Sequence, residues 1–347
     1  MTHSHWVALL MVAGLATTVA DENPRAQTVS DEHARALRIA VIQMPSVDHD
    51  IDANLKRAAG FAEQAVMQGA QFVLFPEMMA TGSSLSFDTW DSAEPSNGRS
   101  VEWLKSTSRR LHVWLGTSFL EAAGPDFYDT FVLTSPSGAE AGRVRKQIPA
   151  GPEAYFFRGE VGSHVISTPI GKIGVGICAE NYYCFAASQF LLESVDFVLM
   201  PHSSPDMSNS GGLGSPPGTH LASWYAHKLG VPVAMVNKVG RSYKPPPNEI
   251  NGTFPGQSAI VDADGSVLVS MNDKEGIGIG TITLDSQRKT RAPSVCTGIG
   301  IAELTIGGSS GAASVANEYE RARKSYELNA ERKTKALAIS GGQPAKK

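Results

Sequence analysis

Cysteine is scarce in this chain: its 347 residues hold only three, Cys178, Cys184 and Cys296. Three cannot build a disulfide framework, and an odd number leaves at least one thiol free. Cys178 is expected to be that free thiol, and Cys184 to pack as a small hydrophobe. No cysteine pair has zinc-site spacing, and His202, His220 and His227 are not spaced as ligands, so no metal is expected. Neither sign of charge dominates. The net charge is -4 and the pI near 6.1, with no basic stripe interleaved with aromatics, which argues against a nucleic-acid partner. The glycine fingerprints of nucleotide sites are missing as well. After residue 20 no apolar run is long enough to span a bilayer.

What remains is the composition of a globular protein, 42% hydrophobic and 18% charged, in one large domain or two small ones. The apolar stretch Trp6 to Leu15, the small residues Ala16-Thr-Thr-Val-Ala20 and the acidic Asp21-Glu-Asn-Pro24 have the layout of a secretory signal, although Met1 to His5 lacks Lys and Arg. Residues 1–20 are therefore expected to be a signal peptide and 21–37 a linker. Cleavage would make the protein exported; without it, cytoplasmic.

Beyond the leader, strand-like and helix-like segments alternate. Arg38 to Gln43 reads as a buried strand, Asp52 to Gln68 as a helix with Leu55, Ala58, Ala62 and Val66 on one face, and Gln71 to Pro76 as a second strand. This βαβ layout recurs as Lys172–Ile177, Tyr183–Glu193 and Val195–Pro201. Between the units come a helix over Ser100 to Leu111 and strands near 113–119, 128–134 and 140–146. A helix over Thr219 to Leu229, a strand over Val231 to Asn237, a hairpin turn at Asp262-Ala-Asp-Gly265 and a strand over Gly276 to Leu284 complete an α/β pattern. Ser203 to Pro217 reads as a loop that could border a pocket. Residues 301–347 read as a linker and a charged helix over Ala312 to Ala336, with Glu320/Lys324 and Glu331/Lys335 at i,i+4 spacing, facing solvent or another subunit.

Three of these strands end in reactive side chains: Glu77, Lys146 and Cys178. Catalytic groups in layered α/β folds gather at the carboxyl ends of strands. A thiol with a pKa of about 8.5 needs a base or a nearby cation to become a nucleophile. Glu77 is a candidate base, and Lys146 a candidate clamp for the oxyanion formed when an acyl carbon is attacked. The backbone N–H of Ala179 is a second candidate oxyanion donor.

The chain resembles the nitrilase, or carbon-nitrogen hydrolase, superfamily. It carries Leu74-Phe-Pro-Glu77-Met, Arg145-Lys146-Gln with Gly151-Pro-Glu153 beyond, and Gly176-Ile-Cys178-Ala-Glu-Asn181, in the family's order. Further similarity runs through Ala226 to Asn237 and Phe254 to Gly265, so the resemblance covers about 38–284, within a hydrolase domain set at 38–300. It implies a four-layer α-β-β-α sandwich, a Glu77–Lys146–Cys178 triad supported by Glu153, no cofactor, and a homodimer or higher homo-oligomer. Glu180 and Asn181 are expected to stabilise the turn rather than react. Nitrilases proper carry a bulky aromatic where this chain has Ala179, so hydrolysis of a small amide through a cysteine thioester is the expected activity. Hydrolysis of a nitrile is the alternative, and a binding protein without turnover a third.

Two other signals are weaker. Gly307-Gly-Ser309-Ser-Gly311 matches a nucleophile elbow, but no histidine follows His227, as that mechanism's chain order requires, so it reads as a flexible linker. Asn251-Gly-Thr253 is a formal glycosylation sequon.

Overall fold

The computed structural model describes residues 34–206, 218–241, 253–301, 303–304 and 308–341. The candidate signal peptide, nearly all of the linker, Asn251 and most of the 203–217 loop lie outside them.

The first half runs β1 (Ala34–Gln43), α1 (Ile51–Met67), β2 (Phe72–Leu74), β3 (Glu94–Pro95), α2 (Arg99–Leu111), β4 (Trp114–Ala123), β5 (Asp126–Thr134) and β6 (Glu140–Arg145). The second runs β7 (Val165–Thr168), β8 (Gly171–Val175), α3 (Cys184–Leu192), β9 (Phe197–Pro201), α4 (Gly218–Leu229) and β10 (Val233–Val236). After these come β11 (Val239–Arg241), β12 (Thr253–Pro255), β13 (Ala259–Val261), β14 (Val267–Ser270), β15 (Gly276–Asp285), α5 (Gly308–Leu328) and α6 (Ala330–Ser340).

Among the described residues two large sheets form, ordered β15-β1-β2-β4-β5-β6 with β3 on β4, and β14-β13-β10-β9-β8-β7, and β11 and β12 make a separate two-stranded antiparallel sheet. Both anticipated βαβ units are present, β1 parallel to β2 and β8 parallel to β9. Strand alternation splits the apolar residues into three layers. Ile39, Val41, Phe72, Leu74 and Phe131 face Ile173, Val175, Phe197, Leu199 and Val236 between the sheets. On the outer face of the first sheet Ala40, Ile42, Val73 and Leu115 meet α1 and α2, and on that of the second Val198, Met200 and Val233 meet α3 and α4. The result is the expected four-layer α-β-β-α sandwich. α1 starts where Asp50 accepts from the N–H of Ala53 at 3.0 Å, and it packs closely because Ala58, Ala62 and Ala65 are small.

The structure differs from the sequence reading in three places, the first being that β1 begins at Ala34, inside the residues read as linker, and pairs there with β15. Cys184 is not a lone hydrophobe: it is disulfide-bonded to Cys296, with Cα atoms 5.8 Å apart. The segment after β15 returns antiparallel beside Tyr183, the N–H of Cys184 bonding the carbonyl of Ile299 at 2.9 Å. Local sequence carries no signal for a contact that spans 112 residues.

The C-terminal helix is also two helices, beginning at Gly308 within the supposed linker and broken at Asn329, whose side chain caps α6 by accepting from the N–H of Arg332 at 3.0 Å. Its charges choose other partners: Arg323 bridges Glu320 and Glu327, while Lys335 reaches Asp91. Nor does it simply face solvent. Tyr326 and Ala336 are buried against Trp90, Phe127, Phe156 and Phe157, and Arg332 binds Asp126 and the carbonyl of Pro125.

Candidate active site

Residues at the ends of β2, β6 and β8 meet at one edge of the sandwich. Glu77 follows β2 by three residues, and β4 fixes its segment: Thr117 donates to the carbonyl of Pro76 at 2.8 Å, and Ser118 accepts from the N–H of Met78 at 2.9 Å. Lys146 follows β6 directly, its N–H bonded to the carbonyl of Asp129 on β5 at 2.9 Å. Cys178 opens a short 3-10 turn over Cys178–Tyr182 at φ 71°, a left-handed conformation that is costly for a residue with a Cβ and that clusters at functional sites. Glu153 sits in a second 3-10 turn, Gly151–Tyr155, against which α5 packs.

The Lys146 ammonium is fully buried and lies 2.6 Å from Glu77 Oε1, 2.8 Å from Glu153 Oε2 and 3.8 Å from Asp129 Oδ2. Burial alone would discharge it, but Glu153 and Glu77 raise it well above the ordinary lysine range. One carboxylate oxygen from each of Glu77 and Glu153 and the Cys178 sulfur lie within 4.8 Å of one another. A cation could bridge such a set, and here the lysine supplies the positive charge.

Burial opposes ionisation of Glu77, yet Lys146 and a hydrogen bond from Asp129 outweigh it and hold this carboxyl at about 2. Burial and the Glu77 charge push Asp129 well above the ordinary aspartate value, so of the two neighbouring acids it is Asp129 that favours its proton. With both groups acting only as acceptors, Glu77 Oε2 and both Asp129 oxygens would lack donors; one proton shared from Asp129 to Glu77 Oε2 satisfies two of the three. Burial likewise raises Glu153. It also pushes the Cys178 thiol up, helped by Glu77 and opposed by Lys146, so the resting site holds a neutral thiol beside an ionised glutamate.

Glu180 and Asn181 hold the turn, as expected. Glu180 accepts from the N–H groups of Gln147 (2.5 Å), Ile148 (3.2 Å) and Ile177 (3.0 Å), so one buried carboxylate ties the segment after Lys146 to the residue before Cys178. His164 lies 3.1 Å from the same carboxylate. Asn181 donates to the carbonyls of Gly176 (2.9 Å) and Cys178 (3.2 Å).

The structure thus brings together Glu77, Lys146, Glu153 and Cys178, with Ala179 next in the turn. The sequence reading missed Asp129, whose alternating strand pattern gives no hint of a protonated acid, and it assigned His202 only a structural fate.

A family model for carbon-nitrogen hydrolases matches residues 38–292. The chain belongs to the carbon-nitrogen hydrolase family. It is 26% identical over 271 residues to an N-carbamoylputrescine amidase of Arabidopsis thaliana, covering 74% of this chain and 90% of that one. It is 27% identical over 266 residues to a bifunctional nitrilase/nitrile hydratase of Lupinus angustifolius, covering 70% and 74%. A solved structure of an amidase variant from Nesterenkonia sp. AN1 has the same fold, with a TM-score of 0.59 and 20% identity over 73% of this chain and 91% of that one. Its active-site cysteine carries the acetamide moiety of fluoroacetamide covalently. This carbon-nitrogen hydrolase is an enzyme, and the residues above form its candidate active site.

Proposed function

We propose that the enzyme hydrolyses a small amide through a thioester on Cys178. The observation that carries this reading is the grouping of a free, left-handed cysteine with an ionised buried glutamate and a permanently charged lysine. The covalent cysteine adduct of the Nesterenkonia amidase supports it.

Glu77, held at about 2, cannot deprotonate a resting thiol to any extent. It takes the proton only as the sulfur bonds the carbonyl carbon, when the charge passes to the substrate oxygen. The Lys146 ammonium and the Ala179 N–H receive that oxyanion. Glu77 returns the proton to the nitrogen, the C–N bond breaks, and ammonia or an amine leaves. Water then gives a proton to Glu77 and attacks the thioester, and the departing sulfur is reprotonated to restore the thiol. Glu153, 2.8 Å from Lys146, accepts from the N–H of Ala150 at 2.6 Å and so anchors the ammonium.

Ammonia release from a panel of amides and nitriles by the native enzyme and Cys178→Ala tests this reading. Release from amides by the native enzyme alone is expected. Equal release by both proteins would sink it, and release from nitriles only would assign the enzyme to nitrile chemistry. The Cys184–Cys296 bond, of a kind that persists in oxidising compartments, supports the further proposal that the enzyme is exported, testable by cell fractionation.

A further inference from the structure

We propose that Ser204 is a catalytic residue that donates a hydrogen bond to the Cys178 sulfur, its hydroxyl oriented by a His202–Asn181 pair, so that the thiolate meets a preformed donor.

Four buried side chains form an unbroken line. Asn181 Nδ2 lies 3.1 Å from His202 Nε2, His202 Nδ1 lies 3.0 Å from Ser204 Oγ, and Ser204 Oγ lies 3.4 Å from Cys178 Sγ. The direction of every bond follows from the first. Asn181 Nδ2 also faces the carbonyls of Gly176 and Cys178, which only an amide nitrogen can do, so the amide cannot be flipped; its two hydrogens are shared among three acceptors, and because an amide nitrogen does not accept, a proton on Nε2 would have no partner there. Nε2 is therefore the acceptor and Nδ1 carries the ring proton. Nδ1–H then donates to Ser204 Oγ, which leaves the serine O–H to donate to sulfur.

Burial holds His202 down to about 4, so the imidazole is neutral at working pH and keeps this tautomer. The donor chain adds no charge beside Lys146, yet it directs a dipole at the atom on which charge appears. The other ionisable groups that act on Cys178 are Glu77, Lys146 and Glu153, and its own charge is felt by Lys238 and Tyr182. None of these donates or accepts within the Ser204 line, although Glu77 and Lys146 act on His202 with opposite signs and Tyr182 packs edge-on against its ring.

Ser204 suits the test because its contacts with Asn237 run through its main chain. Its N–H donates to Asn237 Oδ1 at 2.9 Å, and its carbonyl accepts from Asn237 Nδ2 at 3.1 Å. Removing the hydroxyl leaves both in place.

The inference rests on Cys178 being the nucleophile, but its test needs no substrate and so fails separately from the amidase reading. Iodoacetamide alkylation of native enzyme, Ser204→Ala and Ser204→Thr is followed by intact mass from pH 6 to 10. Cys178 is the only thiol outside the disulfide. Loss of a hydrogen bond to an ionised acceptor should move the rise in rate upward by about one pH unit, with labelling slowed roughly tenfold at pH 8. Threonine, which keeps the hydroxyl, should restore the native profile. Superimposable native and alanine profiles, or a uniform slowing that threonine does not reverse, would overturn the inference. If Ser204→Ala does not fold, Ser204→Gly carries the same two outcomes.

Discussion

Asp129→Asn tests the charge arrangement of the site without disturbing its shape. Asparagine keeps the donor that a protonated Asp129 directs at Glu77 but needs no proton to do so. The native enzyme must take up one proton on folding wherever Asp129 is ionised in the unfolded chain and protonated in the folded one. The unfolded carboxyl titrates near 3.8 and the folded one well above it. Because the folded state then binds one more proton, stability falls as pH rises, by about 1.4 kcal/mol per pH unit, from the unfolded pKa up to the folded one. Asp129→Asn has no such slope, and subtracting the two proteins cancels the groups they share. Urea unfolding at pH 5, 6, 7 and 8 should show the variant gaining on the native enzyme by about 1.4 kcal/mol at each step until the folded pKa is reached. A difference that stays flat with pH would refute a proton on Asp129. Activity adds a second criterion: Asp129→Asn should turn over substrate near the native rate, whereas Asp129→Leu, which leaves Glu77 Oε2 without a donor, should lose about tenfold or more in kcat.

Lys146→Met should be inactive and less stable by about 3–5 kcal/mol in urea unfolding at pH 7, because Glu77 and Glu153 are left buried without their cation. Thiol titration of the denatured, unreduced protein should give one thiol per chain, rising to three after reduction. Gly176→Ala would place a Cβ 1.9 Å from Asn181 Oδ1, and should slow both turnover and Cys178 alkylation by about tenfold or more as the turn is displaced. Tyr326→Phe removes the hydroxyl that accepts from the N–H of Phe127 at 2.9 Å, and should lower stability by about 1–2 kcal/mol.

The layered fold was legible, and Glu77, Lys146 and Cys178 stood out as candidates, because strand ends are marked locally, where an apolar run gives way to each of them; their grouping as a triad came from the family resemblance. Glu153 was legible only through family resemblance, since a glutamate after Gly151-Pro152 otherwise reads as a polar loop residue. That Asp129, Ser204 and His202 lie beside these residues was not legible. Each depends on which strand lies beside which, and Asp129 in addition on a proton that its neighbours impose. The same reason hid the Cys184–Cys296 bond. The C-terminal helices misled in another way: a helix rich in charge reads as solvated, yet Tyr326 and Arg332 turn inward where β5 begins and α5 backs the turn that carries Glu153.

The central claim is that an acyl group passes through Cys178. Intact-mass spectrometry of the enzyme quenched in acid during turnover of an amide found active in the ammonia assay tests it directly. The expected result is one added acyl mass that maps to Cys178 and is absent from Cys178→Ala. Turnover of that amide by an enzyme that never carries the added mass, or carries it on another residue, would contradict it.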